Sequence, residues 1–328
     1  MHGSFEFGQG LHIDPLDPSF QRPDPGTFTP RRRRAFASQS MARFRESLLL
    51  PHTQSVRDAV LDDLSAFFGY SAEECRQRCL HWEKWSAEEW KDGDRSTDDG
   101  IASFYQSTKS WSFDLLWYAY LQAEGYAYPV SVAIAEGVPP AKDAPEHLDF
   151  GSGIGATGQL FSRLGYRSSL ADISSSLQEF AKFRLDRRGD VVTFIDLNKS
   201  ALDARRYDVI TAIDTLVHVP DLPRVLEMLH LALKPGGLLF ANFDTRPPSE
   251  ANAWHLYADD LPLRWTLQRA GFEPLESLDL MSTKYQWVDP TSVTHMARGV
   301  RDLVLLKSPL RPAYRKTKTI VRQLLRRA

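Results

Sequence analysis

The sequence predicts an α/β protein: a mostly parallel sheet with helices on both faces, preceded by a helical region. Three observations carry this reading. Between His147 and Phe243 short apolar runs alternate with helix-like segments, the pattern of successive βαβ units. Inside that stretch His147–Leu164, H-L-D-F-G-S-G-I-G-A-T-G-Q-L-F-S-R-L, reads as a strand, a glycine turn and a helix. Ahead of it, from Met41 to about Tyr128, apolar residues recur at helical rather than alternating spacing.

Composition narrows the class. A chain of 328 residues, 42% hydrophobic and 25% charged, has the make-up of a globular protein with a real core and room for an appendage. A net charge of −2 supplies no general attraction to nucleic acid, which argues against that partner. No apolar run has the length of a bilayer span, and the N-terminus is polar and proline-rich rather than signal-like, so the expected setting is the cytoplasm. The two cysteines, Cys75 and Cys79, sit at i,i+4 spacing and are expected as small buried side chains on one helix face. No His or Cys pair nearby completes a zinc pattern, and no metal is expected.

Taken in order, residues 1–40 form an extended or disordered lead-in, punctuated by Pro15, Pro18, Pro23, Pro25 and Pro30. Arg31–Arg34 there reads as a solvated basic segment, with a phosphate contact as the alternative. Residues 41–140 form a helical lid or substrate region. Ser71-Ala-Glu-Glu74 and Ser86-Ala-Glu-Glu89 both match a capping box and predict two helix starts. The aromatic residues crowding this region, among them Trp82, Trp85, Trp90, Tyr105 and Trp111, are core or the lining of a cavity. Asp92–Gly100 reads as an exposed acidic loop that lacks the final glutamate of a calcium loop. The link Pro139–Pro145 marks a domain boundary, and residues 141–308 form the cofactor-binding domain. Its expected strands are Leu148–Phe150, Ser168–Ala171, Val191–Ile195, Val209–Ile213 and Leu238–Phe243, with Glu273–Leu280 and Val300–Leu306 as late additions. Helices are expected after Gly155, at Ser175–Arg187 and at Leu222–Leu233. Residues 309–328 form a basic tail or amphipathic helix. It is expected to dock on the protein's own surface or on a second subunit of a homo-oligomer, ahead of membrane or nucleic acid.

The chemistry concentrates around the glycine turn. Gly151, Gly153 and Gly155 allow a sharp turn and close approach of a ligand to backbone, and the helix that follows aims free N–H groups at it. Gly153-Ile-Gly155-Ala-Thr-Gly158 by itself satisfies a dinucleotide fingerprint. The acids around it point elsewhere. Asp149, just before the turn, would repel a pyrophosphate but could hold an ammonium; Asp172, ending the next strand, can accept the hydroxyls of a ribose. Asp196 could accept from an adenine amine. His218 follows the fourth strand as a possible base or substrate orienter, or as a structural hydrogen-bonder. Asn242, Asp244, Trp254, His255 and Tyr257 fall on the expected substrate rim, or merely cap the sheet. Tyr105 and Trp111 are the candidates for a lid, and His147 is expected to be structural.

In this order and spacing, L-D-F-G-S-G-I-G, A-D-I-S, D-L, D-V-I-T-A-I-D-T-L-V-H-V and L-K-P-G-G-L-L resemble the class I S-adenosylmethionine-dependent methyltransferases that act on small molecules. The resemblance runs over roughly Glu146–Lys307. It implies a Rossmann-like seven-stranded sheet with an antiparallel last strand and S-adenosylmethionine as cofactor. The binding set it implies is Asp149, Gly151, Ser152, Gly153, Gly155, Asp172, Ile173, Asp196, Leu197 and Asp214. Val217-His218 stands where the group often has Glu-His, so any role of that glutamate is absent. The expected activity is methyl transfer to a small or medium-sized metabolite, of the kind met in natural-product or secondary metabolism. The rival readings are an NAD(P)-dependent oxidoreductase and a methyltransferase-fold module that binds RNA or protein.

Overall fold

The computed structural model describes residues 13–17, 19–92, 97–138, 143–243, 256–257 and 260–307. The helical region comprises α1 (Pro30–Ala37), α2 (Gln39–Leu48), α3 (Val56–Phe68), α4 (Ala72–Leu80), α5 (Trp82–Asp92), α6 (Asp98–Ser107), α7 (Ser110–Ala123) and α8 (Val130–Ala135). An alternating series follows: β1 (Glu146–Phe150), α9 (Ala156–Arg163), β2 (Arg167–Asp172), α10 (Ser175–Asp186), β3 (Thr193–Asp196), β4 (Tyr207–Ala212), α11 (Leu222–Ala232) and β5 (Leu233–Ala241). The described chain closes with α12 (Asp260–Arg269), β6 (Phe272–Leu278), β7 (Ser282–Trp287) and α13 (Val293–Lys307). The strands form a seven-stranded sheet in the order β3-β2-β1-β4-β5-β7-β6. β7 runs antiparallel to both β5 and β6, so the sheet is mixed.

Two compact units make up the chain, one of Met1–Asp24 and Arg32–Ala201, the other of Pro25–Arg31 and Leu202–Ala328. Pro139–Pro145, the expected boundary, falls inside the first unit. Hydrogen bonds join described residues on either side of it. Gln159 of α9 donates to the Ser47 carbonyl of α2 at 2.8 Å, and Arg187, just past α10, pairs with Asp63 of α3 at 2.7 Å.

In the first unit the helices start where short polar residues receive their free N–H groups. Ser38, Ser55, Ser71 and Ser174 accept from Met41, Asp58, Glu74 and Leu177, and Gly69 in the left-handed region ends α3. Met41, Phe44 and Leu48 recur on one face of α2 and are buried. Every residue of β1 is buried, as a strand covered on both faces requires. Cys75 and Cys79 lie buried on one face of α4. His147 is fully buried, stacked on Phe161 at 3.9 Å and bonded to Ser168, and burial pushes its pKa down to about 3. It is structural, as expected.

Three expectations for this unit fail. The lead-in is not extended throughout: Pro30–Ala37 is helical, with Pro30 at the first turn where a missing N–H is harmless, and Ala35 buried. Ser86 starts no helix, because α5 runs unbroken through it. Its hydroxyl is buried and accepts from Trp111 Nε1 at 2.9 Å. Glu89 instead reaches the next chain segment, accepting from the Lys109 and Ser110 N–H groups (3.2 Å each) and from the Thr108 and Ser110 hydroxyls. It thereby caps α7. Within Asp92–Gly100, expected as a loop, Thr97 accepts from Gly100 and opens α6, while residues 93–96 lie outside the described residues.

In the second unit the Lys-Pro-Gly-Gly segment is an irregularity inside β5 rather than a turn before it. Tyr207 pairs with Leu233 and Val209 with Leu238, so four residues bulge from the register. Gly236 takes φ +80° in that bulge. Val300–Leu306 is helical, part of α13, not a strand. Its exposed apolar residues Val293, Met296, Val300 and Val304 follow helical spacing, while His295 and Gly299 are buried on the opposite side. The seventh strand is Ser282–Trp287, whose residues carry little apolar signal. Only Ser282 and Tyr285 of it are buried. No helix among the described residues is long and apolar enough to cross a membrane, and none of their His, Cys, Asp and Glu side chains form a metal-sized cluster.

Candidate functional site

The glycine turn follows directly from β1. The N–H groups of Gly151 and Ser152 both donate to the Ala171 carbonyl near the end of β2, at 2.8 and 3.2 Å, which folds the chain sharply over that strand. Gly151, Gly153 and Gly155 have φ of 68°, 52° and 77°, a region that favours glycine. A Cβ on Gly153 would stand 2.8 Å from Leu115 of α7, and one on Gly155 the same distance from Leu170. The turn is therefore tight both in backbone angle and in space.

Asp172 anchors this turn. One carboxylate oxygen accepts from the Gly153 N–H at 2.7 Å and the other from the Ser174 N–H at 2.8 Å. Burial raises its pKa, and those backbone bonds oppose the shift. Asp149 does not project freely: one of its oxygens accepts from the Gly158 N–H at 3.0 Å, inside the first turn of α9. Beyond β2, Ile173 is exposed and Leu197 half-buried, and the Leu197 N–H donates to the Asp172 carbonyl. Asp196 accepts from the Asn198 N–H and side-chain amide at 2.9 Å each and pairs with Lys199 at 2.7 Å. The Lys199 ammonium, followed by Asn198, lowers its pKa.

Asn198 and the α6–α7 junction were not legible as site residues. Asn198 donates to the Ile173 carbonyl at 2.8 Å and accepts from Gln106 at 3.1 Å. Ser176, in the first turn of α10, donates to the Thr108 carbonyl at 2.6 Å. These bonds bring the end of α6 and the start of α7 against the carboxyl ends of β2 and β3. The signal available was the helix-start run Ser174-Ser175-Ser176 ahead of the expected helix Ser175–Arg187. Tyr105 and Trp111 come together with ring centroids 5.2 Å apart, and Phe104 and Trp90 extend the cluster. Tyr105 is buried, and burial raises its pKa.

A nucleotide-type cofactor carrying an amino-acid end finds matching groups here. Asp172 and Asp196 retain acceptor lone pairs, Ile173 and Leu197 offer apolar surface, and the α9 N-terminus is capped by Gly155 without a side chain. The Ser152 hydroxyl is buried and has no partner among the described residues. A buried hydroxyl left unpaired costs about 1–3 kcal/mol, which a bound polar group would recover. The residues present fit such a group.

The second unit holds a constellation of its own. Asp214 follows β4 with φ 52°; its N–H donates to the Asn242 side-chain oxygen at 2.7 Å, and the Asn242 amide donates back to the Asp214 carboxylate. Two residues expected in different roles are thus partners of each other, across the ends of β4 and β5. His218 ends a single 3-10 turn, Leu216–His218, and is half-buried. The backbone around it is held by the Leu256 N–H, donating to Val217 at 3.2 Å, and by the Tyr257 hydroxyl, donating to Val219 at 2.9 Å. Tyr257 therefore braces the His218 segment. Asp244, Trp254 and His255 lie outside the described residues.

Residues 123–299 match a family model described as a methyltransferase domain. Among curated relatives, a ubiquinone biosynthesis O-methyltransferase of Coxiella burnetii is 33% identical over 95 residues, 28% of this chain and 41% of that protein. The Proteus mirabilis protein of the same name is 27% identical over 149 residues, 44% of this chain and 60% of its own length. These matches span less than two thirds of the relatives. Of the solved structures, Haemonchus contortus phosphoethanolamine N-methyltransferase 2 has a TM-score of 0.40 at 21% identity, covering 45% of this chain and 37% of that one. A Burkholderia thailandensis 1,6-didemethyltoxoflavin-N1-methyltransferase gives 0.37 at 23% identity, covering 49% and 77%.

Proposed function

The chain belongs to the methyltransferase domain family, with S-adenosylmethionine as its cofactor, and from that premise we propose that it methylates a hydroxyl group of a small or medium-sized metabolite. The observation that carries the reading is the glycine turn clasped by Asp172, where backbone N–H groups and a buried carboxylate stand beside an unpaired buried hydroxyl. The choice of oxygen as acceptor is supported by the relatives named ubiquinone biosynthesis O-methyltransferase.

When bound, S-adenosylmethionine supplies a methyl group on a sulfonium leaving group, so the protein's work is alignment and exclusion of water. Asp172 would hold the ribose hydroxyls while keeping its bond to Gly153. Asp196 would hold the adenine amine, and the Ile173 and Leu197 side chains would offer apolar surface to the base. Gly151, Gly153 and Gly155 would let the backbone approach the amino-acid end, and Ser152 would offer its hydroxyl there. His218, in the second unit, would take the proton of the acceptor hydroxyl or orient that hydroxyl. Asn242 and Tyr257 act by fixing Asp214 and the His218 segment.

Titration calorimetry with S-adenosylhomocysteine is expected to give saturable binding, with NAD giving none and Asp172→Ala abolishing it in a folded protein. Binding of NAD alone overturns the reading. With methyl-labelled cofactor and a panel of phenols, amines and thiols, label is expected on oxygen; label confined to nitrogen or sulfur overturns the acceptor class. His218→Gln is expected to lower kcat about a hundredfold at neutral pH while leaving S-adenosylhomocysteine affinity unchanged.

A further inference from the structure

Beneath the glycine turn lies a group of buried charges that the reaction does not use. Arg184 of α10 is fully buried, a position arginine almost never occupies without partners. Its guanidinium donates to the Ile154 carbonyl at 2.8 Å and to the Gln159 side-chain oxygen at 3.3 Å, and lies 3.6 Å from the Asp63 carboxylate. Asp63, on α3, is also fully buried and takes Arg187 and Arg188 at 2.7 Å each. Arg188 in turn donates to the Leu48 carbonyl that ends α2, at 2.8 Å. One buried carboxylate thus gathers three arginines, and one of those reaches the turn.

Ile154 stands between Gly153 and Gly155. Its carbonyl is bonded by Arg184, the Gly153 N–H by Asp172, and the Gly158 N–H by Asp149. Three glycines with positive φ give this segment wide freedom of its own, so partners outside it add to the bond within it, from the Gly155 N–H to the Ser152 carbonyl. The two carboxylates act on N–H groups; Arg184 alone among these three draws on a carbonyl, and so holds the 154–155 peptide plane from its carbonyl side. The N–H of the same plane, that of Gly155, donates to the Ser152 carbonyl at 2.8 Å, and Gly155 is the N-cap of α9, so Arg184 braces the plane that ties Ser152 to the start of that helix.

We propose that Arg184, held by Asp63, is a positioning residue that sets the glycine turn for the cofactor. The proposal rests on the reading of that turn as the S-adenosylmethionine site. It also gives the helical region a second purpose: α3 supplies the carboxylate that aims Arg184.

The test compares three variants of the full chain by calorimetric titration with S-adenosylhomocysteine and by thermal unfolding. Arg187→Met removes a partner of Asp63 that does not touch the turn. It is expected to lower Tm and to leave the dissociation constant within about twofold of the parent. Arg184→Met is expected to raise that constant at least tenfold at a temperature where the protein is folded. Arg184→Lys keeps the charge but cannot serve Asp63 and Ile154 together, and is expected to weaken binding severalfold; it decides the matter where Arg184→Met does not fold. Parent-like affinity in either folded Arg184 variant, or equal loss in Arg187→Met, overturns the proposal. A parent protein that binds no S-adenosylhomocysteine overturns instead the reading on which it rests.

Discussion

At Gly158 a single hydrogen atom is the largest side chain that fits. A Cβ there would stand 2.0 Å from Leu170 Cδ2 and 3.5 Å from Asp149 Cβ, against a fully buried strand. Gly158→Ala gains about 1 kcal/mol of helix propensity but forces Leu170 or α9 aside, at a cost of about 1–3 kcal/mol and more where the strand cannot move. The expected outcome is a lower urea midpoint with an unchanged m-value; an unchanged midpoint would show that Leu170 repacks freely. The residue scale is also where the sequence was clearest and most incomplete. Spacing alone found the glycine turn and the acids around it. It could not say which way those acids turn. Asp149, read as able to hold an ammonium, also accepts from Gly158 with one oxygen, and Asp214 and Asn242 pair with each other. The position of a carboxylate on a strand is a one-dimensional fact, whereas its partner depends on a side-chain torsion. Arg184 was invisible for the same reason, since an arginine in a helix reads as solvated until its neighbours are known.

Elements were legible where propensity and context agreed. The serine cap at Ser71 did what its pattern indicated. Ser86-Ala-Glu-Glu89 has the same letters and does something else: its glutamate caps α7, nineteen to twenty-one positions along the chain, beyond α6. Glu89→Ala is therefore expected to destabilise the protein by about 1–2 kcal/mol, with the loss of protection concentrated in the amides of α7. Hydrogen exchange checks this, and protection lost in α5 instead would refute it. V-L-L in α13 and S-T-K-Y-Q-W in β7 erred in opposite directions. The first is apolar enough for a strand, yet it belongs to a segment of helical length. The second is too polar to announce itself, and is a strand because it completes the open side of β5 and pairs with β6.

For the whole molecule, His147 ties stability to acidity. Folded, its pKa is pushed down to about 3, whereas the unfolded chain takes the proton near the ordinary value of about 6.5. Above that value both states are neutral and the group contributes nothing. Between the two values only the unfolded chain is protonated, so stability falls with falling pH, by up to about 1.4 kcal/mol per unit from this group. Urea unfolding from pH 6.5 to pH 4.5 is expected to show that slope, and His147→Gln to flatten it; an unflattened slope would place its origin in other groups. The fold class at this scale was readable because alternation survives small errors of boundary. The position of β7 bears on how the chain comes to be made. β6 is synthesised before β7, the only strand it pairs with among the described residues, and β5 keeps an open edge until that same strand arrives. During elongation, completion of this half of the sheet waits for Ser282–Trp287 to emerge, and until then two strand edges are exposed to the wrong partner.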